Sequence, residues 1–194
     1  SKMKICVITG SRADYGLLEW PIKMMREDPF FEVEIYKAWG SILSQTFNEL
    51  MLKFSNKRPD MFMVLGDRHE ILGSVTAAYL QRIPIAHLCG GDVTEGSYDD
   101  AMRDCISRMS SIHFVTSTSA MARLTHFGHR NVHLVGSTAI DYIRHAEWKK
   151  ERPYPEKYVV VSYQPETLDG TNDVMNVLRA LPDVMQIFLM PNND

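Results

Sequence analysis

The sequence has few cysteines, and they lie far apart. Cys6, Cys89 and Cys105 are its three cysteines, and they form no CxxC pair. This spacing argues against zinc-finger and disulfide-exchange motifs. An odd number of cysteines is typical of proteins kept under reducing conditions, so we expect a cytoplasmic protein.

The sequence also lacks an excess of charge and any long apolar run. Its net charge is −3 over 194 residues, which offers no basic surface to nucleic acid and no strongly charged face to a membrane. The apolar runs fall far short of the roughly 20 residues that cross a bilayer. The first residues show no signal-peptide pattern. We therefore expect neither nucleic acid nor a membrane as a partner.

What the sequence does contain is a regular alternation of strand and helix patterns. Several strand patterns, such as 63–65 and 83–86, are apolar throughout, as in a parallel sheet covered on both faces. The strands are predicted near 4–9, 31–38, 61–66, 84–89, 112–116 and 131–136. The helices are predicted near 16–27, 43–56, 69–81, 98–110, 118–128 and 138–147. This order predicts an α/β fold with a doubly wound parallel sheet and right-handed crossovers.

A charged segment with two prolines interrupts the alternation and is typical of a linker. A further strand, helix and strand follow it, near 158–162, 171–181 and 184–190. One β-α-β unit cannot cover both faces of its own sheet, which indicates that a second domain is only partly present. We therefore predict an N-terminal domain at 1–147, a linker at 148–157, and the start of a second Rossmann-like domain at 158–194.

Polar segments follow the apolar strands. The first strand ends in TGSRADYG, the third in GDRHE, and the fourth in GGDVTEGSYDD. In an open α/β sheet, ligands bind in the crevice beyond the carboxyl ends of the strands. We therefore expect the three segments to form one site.

Arg12 is the candidate for binding an anion. It lies between a strand end and a helix start, where backbone N–H groups and the helix dipole favour phosphate. Gly10 allows the backbone of this segment unusual conformations. The alternative is that Arg12 pairs with Asp14 or Glu19 on the surface.

Asp67 is a second candidate, because it follows a buried strand directly. A carboxylate there could abstract a proton, bind a sugar hydroxyl, or cap the following helix. Arg68 could bind the ligand or pair with Glu70. Ser137 follows another strand and could contact a ligand hydroxyl or phosphate, or cap a helix.

The segment from residue 90 to residue 100 is the densest in polar groups. Its acids are Asp92, Glu95, Asp99 and Asp100. Carboxylates brought together in a partly dry cleft have separated pKa values, which suits acid–base catalysis. Gly91 would let the loop lie close to a ligand. Alternatively, Asp99 and Asp100 lie in the first turn of the next helix, where negative charge is favourable, and Arg103 pairs with them on the helix surface.

Together these segments resemble a known family. TGSRADYG, PDMFMVLGDRHE, HLCGGDVTEGSYDDAMRDCISRMSSIHFVT, SYQPETLDG and MPNND are similar to hydrolysing UDP-N-acetylglucosamine 2-epimerases, in the same order along nearly the whole chain. The resemblance implies a glycosyltransferase-B-type fold of two Rossmann-like halves that enclose a UDP-sugar. A close branch of the family acts on UDP-diacetylbacillosamine. We also expect a homo-oligomer, either a dimer or a tetramer.

The resemblance implies removal of the C2 proton, elimination of UDP and hydration of the resulting glycal, with no metal or redox cofactor. Arg12 would contact the diphosphate, and Asp67 and the loop acids would handle protons and sugar hydroxyls. Arg103 would orient the loop or bind the ligand. The residues implied on the facing side of the cleft are Gln164, Glu166, Thr167 and Asn192.

Four positions differ from the family pattern: Cys89, Asp104, Ser111 and Gln164. Gln164 stands where the family usually has histidine, and a neutral amide is neither an acid nor a base near pH 7. Three other functions stay open. They are a catalytically weak module that binds a nucleotide sugar, a non-hydrolysing UDP-N-acetylglucosamine 2-epimerase, and a glycosyltransferase, which would need an acceptor.

Overall fold

The computed structural model describes residues 1–148, 151–164 and 173–190. Its contacts divide the chain into two compact units. The first comprises Ser1–Thr94 with Asp99–Ala146, and the second comprises Glu95–Tyr98 with Glu147–Asp194. The short segment Glu95–Tyr98 is thus grouped with the second unit, whereas the sequence prediction included it in the first domain. The predicted domain limits stay a prediction.

Strands and helices alternate through the first unit. Its strands are β1 (Met3–Thr9), β2 (Phe31–Lys37), β3 (Met61–Leu65), β4 (Ile85–Leu88), β5 (Ile112–Val115) and β6 (Val132–Leu134). Its helices are α1 (Arg12–Glu27), α2 (Leu43–Asn56), α3 (His69–Leu80), α4 (Asp99–Met109), α5 (Thr118–His126) and α6 (Thr138–His145). The helices from α2 onward begin within one residue of their predicted starts.

The strands of the first unit form one parallel sheet in the order β2-β1-β3-β4-β5-β6. Val7 of β1 lies opposite Met63 of β3, which in turn lies opposite Ala86 of β4. The chain winds outward in one direction from β1 to β2 and in the other from β3 to β6. The switch point, where such sheets bind ligands, therefore lies between β1 and β3. The predicted doubly wound parallel sheet is confirmed.

Helices cover both faces of this sheet. Successive side chains of a strand point to opposite faces. Ile8 packs in a cluster with Phe54 of α2 and Val75 of α3, whereas Val7 packs in a second cluster with Leu18 of α1. Burial of each such side chain contributes about 1.5–3 kcal/mol to folding. These two cores pack against the central strands from both faces of the sheet.

The start of α1 differs from the prediction. The helix begins at Arg12 rather than at residue 16, because Ser11 caps it and accepts a hydrogen bond from the backbone N of Asp14 at 3.1 Å. Gly16 therefore lies inside the helix. The glycines of TGSRADYG indicated a loop, but the segment is a strand end followed by a first helical turn.

The second unit contains β7 (Tyr158–Val161), α7 (Val174–Ala180) and β8 (Met185–Phe188). The two strands are parallel, with Tyr158 opposite Met185, as predicted for a β-α-β unit. Residues 171 and 172, where the sequence predicted the start of the helix, lie outside the described residues. None of the helices in the described part of the chain combines the length and apolar character needed to cross a bilayer.

Candidate active site

Arg103 forms hydrogen bonds with several acidic residues at the carboxyl edge of the sheet. It lies on α4 and is only 5% exposed. Its guanidinium donates hydrogen bonds to the carboxylate of Asp67, to Oδ1 of Asp100 at 2.5 Å, and to the backbone oxygen of Asp92 at 2.7 Å. A single cation thus binds the end of β3, the start of α4 and the loop after β4.

The charge of Arg103 is matched by its partners. Burial alone would lower the pKa of its guanidinium, but the charge and hydrogen bond of Asp67 and the hydrogen bond of Asp100 raise that pKa. A buried charge is stable only when it is paired and hydrogen-bonded. Arg103 therefore fixes the positions of Asp67 and Asp100 relative to each other.

Asp67 follows the turn that ends β3. The N-cap residue of α3 is Arg68, with no side-chain capping bond, so the capping alternative for Asp67 is wrong. Arg103 binds Oδ2 of Asp67, and 23% of the Asp67 side chain is exposed. Within the described residues, Oδ1 of Asp67 makes no hydrogen bond. That oxygen can accept a proton from a ligand.

Further hydrogen bonds close the loop after β4. Thr116, just beyond β5, donates to the carboxylate of Asp92, with distances of 3.2 and 3.3 Å to its two oxygens. The backbone N of Thr94 donates to Oδ1 of Asp100 at 3.0 Å. Hydrogen bonds thus connect the loop to the end of β5 and to the start of α4. The sequence analysis did not select Thr116, although its position directly after a strand could have identified it.

The start of this loop has an unusual backbone. Cys89 has a φ of 65° and Gly91 a φ of 81°, and Arg123 of α5 donates to the backbone oxygen of Gly91. Burial, reinforced by the charge of Asp92, raises the pKa of the Cys89 thiol to about 11. The thiol is therefore neutral near pH 7 and does not serve as a base there.

At the end of β1, Arg12 occupies the first position of α1. Its guanidinium carbon lies 5.8 Å from the centre of the Trp39 ring. In the part of the chain that the structure describes, no ion pair joins Arg12 to Asp14 or Glu19, so that alternative is not observed. A Cβ atom at Gly10 would lie 2.6 Å from Oε1 of Glu70, so a larger residue there would displace that carboxylate.

Two further acids lie beneath this edge. Glu70 is 1% exposed and accepts a hydrogen bond from Nε of Arg68 at 2.5 Å, so the paired alternative for Arg68 is observed. Burial, together with the nearby charges of Glu70 and Asp67, raises the pKa of Asp14. The sequence analysis treated Asp14 only as a partner for Arg12 and did not predict its place beside Glu70.

The remaining candidates are not brought to this centre by described contacts. Ser137 accepts a hydrogen bond from the backbone N of Ala139 at 3.3 Å and so caps α6. Asp99 lies with Asp100 in the first turn of α4. Glu95 and Gln164 belong to the second unit. Three candidates lie outside the described residues: Glu166, Thr167 and Asn192. Among the described residues, no three metal-binding side chains converge.

Comparison of the sequence with known proteins identifies similar chains. A family model described as UDP-N-acetylglucosamine 2-epimerase matches residues 8–194. A Campylobacter jejuni protein named GDP/UDP-N,N'-diacetylbacillosamine 2-epimerase (hydrolyzing) is 28% identical over 247 aligned residues, which cover 100% of this chain and 64% of that protein. A Neisseria meningitidis UDP-N-acetylglucosamine 2-epimerase is 27% identical over 86% of this chain and 55% of its own length. The chain thus spans less than two thirds of these relatives.

Comparison with solved structures identifies chains with a similar fold. The S. aureus MnaA–UDP co-structure aligns with a TM-score of 0.85 at 16% identity and covers 99% of this chain and 63% of that chain. The Neisseria meningitidis UDP-GlcNAc 2-epimerase bound to UDP-GlcNAc has a TM-score of 0.69 at 18% identity and covers 73% of this chain and 48% of its own. The predicted glycosyltransferase-B-type fold is confirmed.

Proposed function

Because the chain belongs to the UDP-N-acetylglucosamine 2-epimerase family, we propose that the protein is a hydrolysing 2-epimerase. Its substrate is UDP-N-acetylglucosamine or a UDP-sugar similar to UDP-diacetylbacillosamine. Its products are UDP and the free 2-epimer, of the N-acetylmannosamine type. The observation that carries this proposal is the binding of Asp67, Asp100 and the Asp92 backbone to the single guanidinium of Arg103.

The reaction proceeds in two steps that balance without an oxidant or a reductant. A base removes the C2 proton, the electron pair of that bond forms the C1=C2 double bond, and the C1–O bond breaks so that UDP leaves with its electron pair. Water then adds a hydroxyl to C1, and a proton returns to C2 on the opposite face. The net change consumes one water, releases UDP and inverts C2.

Asp67 is the base in this proposal. Its carboxylate is held by Arg103 through one oxygen and is partly exposed, which leaves the other oxygen able to reach a ligand. Asp100 is the second carboxylate on the same guanidinium, with 30% of its side chain exposed. The neutral thiol of Cys89 cannot replace either one. Two carboxylates on one cation provide one group to remove the proton and another to manage its return.

Arg12 binds the diphosphate in this proposal. It lies in the first turn of α1, where the helix dipole and the backbone N–H groups of the helix start favour anions. Its positive charge opposes the negative charge that develops on UDP as the C1–O bond breaks. The switch point between β1 and β3 places Arg12 and Asp67 at adjacent strand ends. Arg68, which follows Asp67 and pairs with Glu70, would bind the substrate at the same edge.

The other assigned roles complete the proposal. Glu95 and Asp99 would assist proton transfer and bind sugar hydroxyls. The remaining residues would bind the substrate, namely Gly10, Gly91, Ser137, Gln164, Glu166, Thr167 and Asn192. Assembly as a dimer or tetramer and a cytoplasmic location are likewise predictions.

The proposed function is tested by incubating the full-length protein with UDP-N-acetylglucosamine in D₂O. We expect free UDP and N-acetylmannosamine with deuterium at C2, measured by NMR. Accumulation of UDP-N-acetylmannosamine with little free UDP would instead identify a non-hydrolysing epimerase. Binding of both UDP-N-acetylglucosamine and UDP-diacetylbacillosamine without release of UDP or epimerisation of either would identify a catalytically weak module.

A further inference from the structure

His87 is a fully buried histidine that is hydrogen-bonded at both ring nitrogens. It lies on β4 and has 0% exposure. Nδ1 lies 2.9 Å from Oγ of Ser107, and Nε2 lies 2.8 Å from the backbone oxygen of Gly66. Because a carbonyl oxygen can only accept, Nε2 must carry the proton. Nδ1 is then the acceptor for the hydroxyl of Ser107.

These two bonds reach the two elements that supply the central ion pair. Gly66 directly precedes Asp67 at the end of β3. Ser107 lies one helical turn after Arg103 on α4. The His87 ring therefore joins the backbone beside Asp67 to the helix that carries Arg103.

The His87 ring is closely packed, which leaves little room for another orientation of the ring. A Cβ atom at Gly90 would lie 2.7 Å from Oγ of Ser107 and 2.9 Å from Nδ1 of His87. Glycine at this position thus makes space for the bond between the two side chains. Burial also lowers the pKa of His87 to about 4, so the ring is neutral near pH 7.

We propose that His87 is a positioning residue for the proposed reaction. Its Nε2–H holds the backbone oxygen of Gly66, and through that backbone it keeps the carboxylate of Asp67 at a fixed distance from Arg103. The catalytic consequence rests on the proposed function, whereas the hydrogen-bonded arrangement does not. Misplacement of a catalytic group by about 1 Å can reduce a rate roughly a hundredfold, so a buried hydrogen bond here matters for turnover.

His113 provides a matched control, because it is a buried histidine in the same sheet. It lies opposite His87 in the register of β4 and β5 and is 2% exposed. Within the described residues, its Nδ1 has no hydrogen-bond partner. Replacement of His113 tests the loss of a buried imidazole without breaking the link between Gly66 and Ser107.

The first experiment compares His87→Leu, His87→Gln and His113→Leu in the full-length protein, at a temperature where all three are folded. We expect His87→Leu to lower kcat by about thirtyfold or more, with the Kd for UDP within about threefold of the original value. His87→Gln should retain roughly tenfold more activity than His87→Leu, because its amide can donate to Gly66. His113→Leu should stay within about threefold of the original kcat.

Equal losses of kcat in His87→Leu and His113→Leu would overturn the positioning role, since burial alone would then explain the effect. It would also be overturned if His87→Gln were no better than His87→Leu. A parallel loss of UDP affinity would indicate general damage to the site rather than misplacement of Asp67.

The second experiment does not depend on catalysis. Nitrogen NMR of the ring should show the Nε2–H tautomer for His87, and the carboxyl carbon signal of Asp67 should move in His87→Leu but not in His113→Leu. An Nδ1–H tautomer, or an unchanged Asp67 signal, would overturn the proposal. If the unmodified protein produces no UDP while these signals behave as expected, the proposed function fails and the positioning of Asp67 by His87 stands.

Discussion

The guanidinium of Arg103 donates a hydrogen bond to the carboxylate of Asp67, although 36 positions separate the two residues in the sequence. The bond joins α4 to the end of β3 next to the switch point of the sheet. It also occupies Oδ2 of Asp67. The predictions below follow from this pair and from the groups around it.

Replacement of Arg103 by methionine should destabilise the protein. The substitution leaves Asp67 and Asp100 without their shared partner, and breaking a buried ion pair costs about 3 kcal/mol or more. Urea denaturation of the full-length protein measures this change in the free energy of unfolding. Arg108→Met is the control, because Arg108 is exposed on the same helix, and its effect should be within about 0.5 kcal/mol. Equal stabilities of the two variants would contradict the role of Arg103.

Asp67→Asn should lower kcat by about a hundredfold or more, because an amide cannot accept the C2 proton. The affinity for UDP should change less than about threefold, because UDP lacks the sugar that the base acts on. Steady-state kinetics and calorimetric titration with UDP separate the two effects. Asp60→Asn provides the control, since Asp60 lies before β3 at the opposite edge of the sheet. Normal turnover of Asp67→Asn would exclude Asp67 as the base.

Arg12→Ala should weaken binding of UDP by about 1.5–3 kcal/mol, the range for a hydrogen bond to a charged group. Titration calorimetry with UDP measures this loss directly. Arg26 lies in the last turn of the same helix, so Arg26→Ala tests whether any loss of positive charge on α1 has this effect. An unchanged dissociation constant for Arg12→Ala would reject the assignment of the diphosphate to this helix start.

Acid should destabilise the protein between pH 6.5 and about 4. Burial lowers the pKa of His113 from 6.5 to about 4, as it does for His87. In this range the unfolded chain binds protons that the folded chain does not, so the stabilisation is complete above pH 6.5 and is lost as the pH falls. Each histidine contributes about 3 kcal/mol to this loss.

The measurement is urea denaturation over this pH range. His113→Gln should reduce the slope of stability against pH, whereas His133→Gln, at an exposed position on β6, should leave it unchanged. The raised pKa of Asp14 acts in the opposite direction, since there the folded state binds the proton more tightly. Equal slopes for His113→Gln and the original protein would contradict the assignment.

Much of the fold follows from local patterns in the sequence. Apolar runs such as 63–65 predicted buried parallel strands, because a strand in a sheet that is covered on both faces is apolar at successive positions. The start of α1 was predicted too late, because Gly10 and Gly16 indicated a loop. The helix begins earlier because the hydroxyl of Ser11 caps it, and the packing of Leu18 on the sheet stabilises it.

In the candidate site, too, some features follow from the local sequence, whereas others depend on contacts between residues that are distant in the chain. The sequence predicted that Asp67, Asp92 and Asp100 follow strands or begin a helix, and therefore that they lie near one edge of the sheet. It left the role of Arg103 open, and it did not identify Thr116 or His87 as hydrogen-bond partners in this region. Those contacts join residues on different elements, so they depend on how the helices pack.

The sequence by itself determined the alternation of strands and helices and the polar character of the strand ends, because these depend on near neighbours and on hydrophobic periodicity. Only the tertiary structure decided which carboxylates share Arg103, which oxygen of Asp67 that guanidinium binds, and which nitrogen of His87 carries its proton. Those features depend on distances between groups that are remote in the chain. Packing of α3 and α4 against the sheet sets these distances, and no local pattern encodes them.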